Sequence, residues 1–111
     1  MARAGNEMIK AIIGYKVRKG SDIEPVLNKL RAHAMTYPGF IAAENLRSEK
    51  ESTIVAMIQS WDKLEDWTAW EMSTIRKSII EEARPLILDE PRVTVYRVMA
   101  TRGWADAGRG S

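Results

Sequence analysis

Three of the chain's four tryptophans, Trp61, Trp67 and Trp70, fall within ten residues of one another, in a stretch ending at Arg76 that otherwise reads as a charged surface helix. Indoles packed so closely along a chain either fill a core or line a cavity for an aromatic ligand. Trp70 is the pocket candidate, because a flat indole stacks on a planar ring. Trp61 at a strand end and Trp67 at i+3 from Leu64 also have the spacing of core packing. Tyr15 offers a phenolic donor to the same pocket if the first strand turns that face toward the helices. Asn45 offers an amide that either reaches a substrate hydroxyl or satisfies a strand edge. Arg76, one turn past Ser73, can hold an anionic phenolate, or it can be an exposed helical arginine beside an acid. His33 is the only histidine, so any Ser-His-Asp arrangement within one subunit must use it. It reads as a proton-transfer group or as a boundary histidine on a helix rim. The candidate catalytic residues are therefore His33, Trp70 and Arg76. The candidate substrate-binding residues are Tyr15, Asn45, Trp67 and Trp70.

Other chemistries find less support. Glu65, Asp66 and Glu71 look like a solvated helix face, since acid–base carboxylates need burial. A single histidine and no cysteine leave no multi-histidine or thiolate metal centre within one subunit and no disulfide framework. No phosphate loop or dinucleotide fingerprint occurs, so neither a bound cofactor nor a metal is expected. The 111 residues carry 17 Lys and Arg against 15 Asp and Glu, with the signs interspersed as in Arg47-Ser48-Glu49-Lys50-Glu51. That is a solvated surface rather than a basic stripe, and nucleic-acid binding is not expected. No apolar run approaches a membrane span, and a cytoplasmic protein with no membrane partner is the expectation.

The elements that must position these groups follow from periodicity. From Met8 to Val17 the odd positions Ile9, Ala11, Ile13, Tyr15 and Val17 alternate with Lys10, Gly14 and Lys16, which predicts a strand. Ser21 and Glu24 form a capping-box pattern that opens a helix, with Pro25 in its first turn and Ile23, Val26, Leu27, Leu30 and Ala34 on one face; it ends near Thr36. Tyr37-Pro38-Gly39 is a turn. A second strand, Phe40 to Arg47, and a third, Thr53 to Trp61, form an antiparallel hairpin around Ser48 to Ser52. Asp62, with Glu65 three residues on, is the expected cap of a helix through Leu64, Trp67 and Trp70. Ser73 caps a second helical piece carrying Ile75, Ile79 and Ile80, which stops by Pro85. A last strand covers Arg92 to Ala100.

The order β-α-β-β-α-β predicts an α+β, ferredoxin-like fold: a four-stranded antiparallel sheet with the helices on one face. The domain spans 8–100, between a flexible N-terminus (1–7) and a Gly-rich C-terminal tail (101–111) carrying Trp104. Both sheet faces are apolar in part. Ile54, Ala56 and Ile58 oppose Val55 and Met57, so a homodimer packed sheet against sheet is expected.

From Met8 to about Met99 the chain resembles the antibiotic biosynthesis monooxygenase (ABM) family of the dimeric α+β barrel group. The landmarks are Tyr37-Pro38-Gly39-Phe40, Asn45-Leu46-Arg47-Ser48, Trp61 and the Trp70-x-x-Ser73 element. The resemblance implies a dimer with pockets between each subunit's sheet and its helices. Members include cofactor-independent oxygenases that convert polycyclic phenols to quinones, and haem-degrading monooxygenases. The haem branch is similar in its Trp at position 70, but it also needs a histidine at position 80 and an asparagine at position 13. Ile80 and Ile13 stand there, so haem degradation is not indicated. The resemblance thus implies cofactor-independent oxygenation of an aromatic or phenolic small molecule, with Trp70 and Tyr15 positioning the ring, although no evident base is present. The alternative is a non-catalytic homodimeric module that binds a hydrophobic metabolite.

Overall fold

The computed structural model describes residues 8–99. They form β1 (Ile9–Lys16), α1 (Glu24–Ala34), β2 (Phe40–Arg47), β3 (Ile54–Trp61), α2 (Leu64–Glu71), α3 (Thr74–Ala83), a 3-10 turn (Arg84–Leu86) and β4 (Arg92–Arg97). The strands make one antiparallel sheet in the order β2-β3-β1-β4. This is the expected α+β, ferredoxin-like arrangement, with its second helical segment divided between α2 and α3. The N-terminal segment, the tail and Trp104 lie outside the described residues.

Alternation decides which side of the sheet is covered. Ile9, Ala11, Ile13 and Tyr15 of β1 are buried, as are Val55, Met57, Gln59 and Trp61 of β3. Residues directly opposite in an antiparallel pair share a face, and the register sets Ile9 against Trp61, Ile13 against Met57 and Tyr15 against Val55. The helices supply the other wall through Val26, Leu27, Leu30 and Ala34 of α1, Trp67 and Trp70 of α2, and Ile79, Ile80 and Ala83 of α3. On the opposite face Ile12 pairs with Ile58, Gly14 with Ala56 and Lys16 with Ile54. Ile12, Ile54, Ala56 and Ile58 are only half-buried, and Leu46 and Tyr96 are exposed.

Two expected helix caps are displaced. Ser21 does not cap α1; the N-cap is Ile23, and the Asp22 carboxylate accepts the Glu24 N–H at 3.1 Å instead. Burial of Ile23 in the core fixes the helix entry two residues later than the hydroxyl pattern implies. Asp62 likewise precedes the cap position of α2, which Lys63 occupies. The Asp62 N–H donates to the Gly39 carbonyl at 2.7 Å, keeping that residue on the extended chain. Ser73 does cap α3, its Oγ accepting the Arg76 N–H at 3.1 Å.

Gly39 sits at the entrance to β2 with φ +87°, a conformation that costs an L-residue about 1–2 kcal/mol. A Cβ at this position would also overlap the Asp66 carboxylate of α2. Gly20 has the same φ, but nothing lies close to where its Cβ would be. Gly20→Ala should therefore cost about 1–2 kcal/mol. Gly39→Ala should cost a further 1–3 kcal/mol or so for overpacking. Urea denaturation of the two variants measures the difference, and equal losses would show that the Asp66 contact yields freely.

Candidate functional site

The three described tryptophans are interior side chains. Trp61, Trp67 and Trp70 retain 0%, 1% and 0% of their accessible surface. Trp61 is the junction among them. Its ring meets Phe40 edge-on at 5.4 Å between centroids and Trp67 at 6.4 Å. Its Nε1–H donates to Gln59 Oε1 at 3.0 Å, and Gln59 Nε2 donates to Met57 Sδ at 3.1 Å. Trp70 packs edge-on against Tyr37 at 5.2 Å.

Trp67 carries the chemical feature of the site. The Arg76 guanidinium carbon lies 5.6 Å from its ring centroid, a cation–π contact. Two of the elements that build this contact come from opposite sides of the Ser73 cap, which sets the first turn of α3 and so aims Arg76 back over α2. Burial lowers the Arg76 pKa, while the Tyr15 phenol and Glu71 raise it. Arginine nevertheless stays cationic at neutral pH. Among the described residues no carboxylate closes an ion pair with it. The Tyr15 phenol, buried beneath the helices, is pushed up to about 12 by loss of water, with Arg76 pulling the other way. Tyr15 is thus a donor held protonated within the electrostatic reach of Arg76. An open groove of about 260 Å³ along α3 adjoins Arg76, lined also by Lys77, Ile80, Glu81 and Arg84, whereas Tyr15 lines a separate hollow of about 230 Å³ with Gly14, Lys16, Ile54, Asp89, Glu90 and Arg92. Ile80 supplies the groove's apolar surface; Arg84 is tied to Glu81 at 2.8 Å and to Glu90.

The structure thus brings Tyr15, Trp67 and Arg76 together. Trp70, on the next turn of α2, backs them from inside the core. His33 is half-buried in the last turn of α1, where its carbonyl accepts the Thr36 hydroxyl at 2.7 Å. Asn45 is exposed on the edge strand β2, opposite Met57, which in turn lies opposite Ile13. Two strand spacings, roughly 10 Å, therefore separate its backbone from β1. Among the described residues neither His33 nor Asn45 makes a hydrogen bond, ion pair or ring contact with the trio. Gln59 is the polar residue that sequence reasoning passed over. Its only signal was position, since it continues the buried run Val55, Met57, Trp61 where an apolar residue is the rule. Among the described residues no three His, Asp or Glu side chains gather as metal ligands. No described helix is long and apolar enough to cross a membrane.

A sheet of this order with the helices on one face defines the α+β, ferredoxin-like class of fold. The profile of the antibiotic biosynthesis monooxygenase family matches residues 8–82, and the chain belongs to that family. No curated protein matches it in sequence. Among solved structures it is similar to SnoaB, a cofactor-independent oxygenase from Streptomyces nogalater. The two are 15% identical, with a TM-score of 0.75 over 87% of this chain and 98% of that one. It is also similar to a conserved protein from Methanosarcina mazei Go1, at 15% identity and a TM-score of 0.74 over 86% of this chain and 96% of that one. At such identities the likeness is one of fold.

The raised Tyr15 pKa has a measurable consequence. Between about 10 and 12 the unfolded chain has lost this proton and the folded chain still holds it, so stability falls as pH rises through that window. Tyr15→Phe should remove this alkaline loss. Absorbance titration should show one of the three tyrosines ionising late, and urea midpoints of the variant should vary less across the same window. A wild-type chain whose tyrosines all ionise together near their ordinary value would contradict the burial of this hydroxyl.

Proposed function

We propose that the protein is a cofactor-independent oxygenase of an electron-rich aromatic or phenolic small molecule, bound where Arg76, Trp67 and Tyr15 meet. One observation supports this reading above the others: a guanidinium stacked on an indole, without a carboxylate partner, beside a phenol that stays protonated. Such a cation stabilises a phenolate oxygen, and the Tyr15 hydroxyl donates to it. Stabilising the anion makes the ring a better one-electron donor to O₂. The net reaction needs no outside reductant. A ring carbon para to the phenol gains one oxygen atom as a carbonyl, while the C–H and O–H hydrogens leave with the second atom as water. Trp70 supports the ring wall from within the core, and Asn45 and His33 are secondary candidates for contact with a larger substrate.

The half-buried Ile12, Ile54, Ala56 and Ile58 on the uncovered sheet face support a homodimer packed through that face, as the apolar area there needs a cover. The absence of cysteine from the sequence supports a cytoplasmic setting. The second reading, a non-catalytic module for a hydrophobic metabolite, is favoured by one fact: all three core tryptophans are already fully occupied by packing.

Oxygen uptake with anthrones and hydroxynaphthalenes separates these readings. Turnover should give one quinone per O₂, and Arg76→Gln should lower kcat/KM about 100-fold, the scale of losing one charge-stabilising group. Ring binding, seen by tryptophan quenching, without any oxygen consumption would replace the oxygenase with the module. Sedimentation tests the assembly: wild type should run as a dimer and Ile58→Asp as a folded monomer, while a monomeric wild type removes the sheet-to-sheet arrangement.

A further inference from the structure

Gly14 stands inside β1, and nothing in the described protomer asks for glycine there. Its φ is not in the left-handed region, unlike those of Gly20 and Gly39. A Cβ built on it would come no nearer than 3.9 Å to a neighbouring atom, the Arg92 carbonyl oxygen, which is ordinary van der Waals contact. A glycine within a strand gives up side-chain packing and costs conformational entropy, and it often marks a place where something else comes close. The register puts Gly14 on the sheet face turned away from the helices, with Ala56 opposite on one side and Arg92 on the other. The open hollow of about 230 Å³ adjoins it there, and no residue of α1, α2 or α3 lines it. Gly14 and Ile54 give the hollow an apolar base; Lys16, Asp89, Glu90 and Arg92 give it a charged rim. The rim carboxylates are steadied by cations, Asp89 by Lys16 at 3.7 Å and Glu90 by Arg84. Each carboxylate keeps further lone pairs able to accept a donor.

We propose that the hollow at Gly14 is a socket for the Tyr96 ring of a second copy of the chain. An apolar base under an acceptor rim fits an aromatic ring that ends in a donor. Among the described large apolar side chains that are exposed, Tyr96 alone carries a hydroxyl. It lies on the same sheet face, opposite Lys10. Gly14 pairs with Arg92, so Tyr96 stands four residues further along β4, roughly 13 Å away, and cannot fill its own hollow. A closed cavity of about 150 Å³ accommodates benzene, so the hollow has room for one phenol ring. Packed sheets lie about 10 Å apart, and a long side chain crosses that gap only where the facing sheet offers little side chain. A two-fold axis makes the exchange reciprocal, one ring entering each hollow. The inference rests on the sheet-to-sheet dimer and adds what sets its register. Aliphatic faces alone can slide past one another; two seated rings cannot.

Equilibrium sedimentation of the full chain reads the dimer Kd. Tyr96→Ala should raise it at least about 30-fold, the scale of losing a buried interface anchor. Tyr96→Phe should raise it about tenfold, through loss of a hydrogen bond to a charged acceptor. Gly14→Val should raise it at least about tenfold by filling the socket. Its monomer, measured by urea denaturation below the Kd, should be as stable as wild type or more so, since valine suits a strand and restricts the unfolded chain. The two changes should not multiply. With the ring gone the valine has nothing to displace, so Tyr96→Ala with Gly14→Val should fall at least about tenfold short of the product of the single effects. A Kd indifferent to Tyr96→Ala or to Gly14→Val, or effects that multiply in full, would overturn the socket and leave the sheet-to-sheet dimer standing. Tyr96 is exposed in the protomer, so its arm decides even where Gly14→Val fails to fold. Coupling of Gly14→Val to Trp104→Ala instead of to Tyr96→Ala would give the hollow to the C-terminal tail and overturn the proposal as well. A wild type that stays monomeric at millimolar concentration removes the dimer and the socket with it.

Discussion

The position of Trp61 is the constraint on which the rest depends. It ends β3, faces Ile9 across the sheet and Phe40 across the hairpin, and lies under Trp67. A bulge between Phe40 and Ala42 lets β2 bring Phe40 opposite it. A large flat side chain with one polar atom is orientable only if that atom has a partner, and Gln59 provides it from two residues back on the same strand. Burying the Gln59 amide is tolerable because the indole and the Met57 sulfur occupy its hydrogen-bonding groups. The ring wall under α2 is therefore set by contacts that no ligand needs to complete.

Upon that wall sits an electrostatic arrangement of opposite character. Burial opposes charge on both groups: it makes the Tyr15 phenol less willing to ionise and loosens the hold of Arg76 on its proton. The cation stays charged because its ordinary pKa is so high; the phenol stays neutral because its own has risen. The pair thus holds a fixed donor and a fixed positive charge side by side. A preorganised field of this kind stabilises a developing anion without having to rearrange when the anion forms.

Much of the scaffold was legible along the chain. Alternation marked β1 and β3 but left open which of their two partly apolar sides faces the helices, and β2 runs from Phe40 to Arg47 as its flanking turns indicate. The hydroxyl of Ser73 announced the start of α3. The caps at Ser21 and Asp62 misled, because a capping pattern states only a local preference. Burial of Ile23, and the pairing of the Asp62 amide with Gly39, are tertiary facts that override it. Tyr15, Trp67 and Arg76 were each conspicuous as types, but their meeting was not readable. Asn45 and His33 were equally conspicuous and make no contact with the trio. Gln59 escaped notice because nothing local distinguishes a buried amide from a solvated one.

Met72 and Ser73 interrupt the helical run between α2 and α3. Trp67 and Arg76 are nine residues apart in the chain. On one unbroken helix, at about 100° and 1.5 Å per residue, they would point to opposite sides and stand roughly 13 Å apart along the axis. Only because the helix stops and restarts on a new axis can the second piece fold its charge back over the indole carried by the first. A relative with a straight helix here would keep the sheet, the tryptophan and the arginine, and still be electrically inert at this spot. Whether a member of this architecture possesses the clasp is decided by the punctuation between two helices and not by the inventory of its side chains.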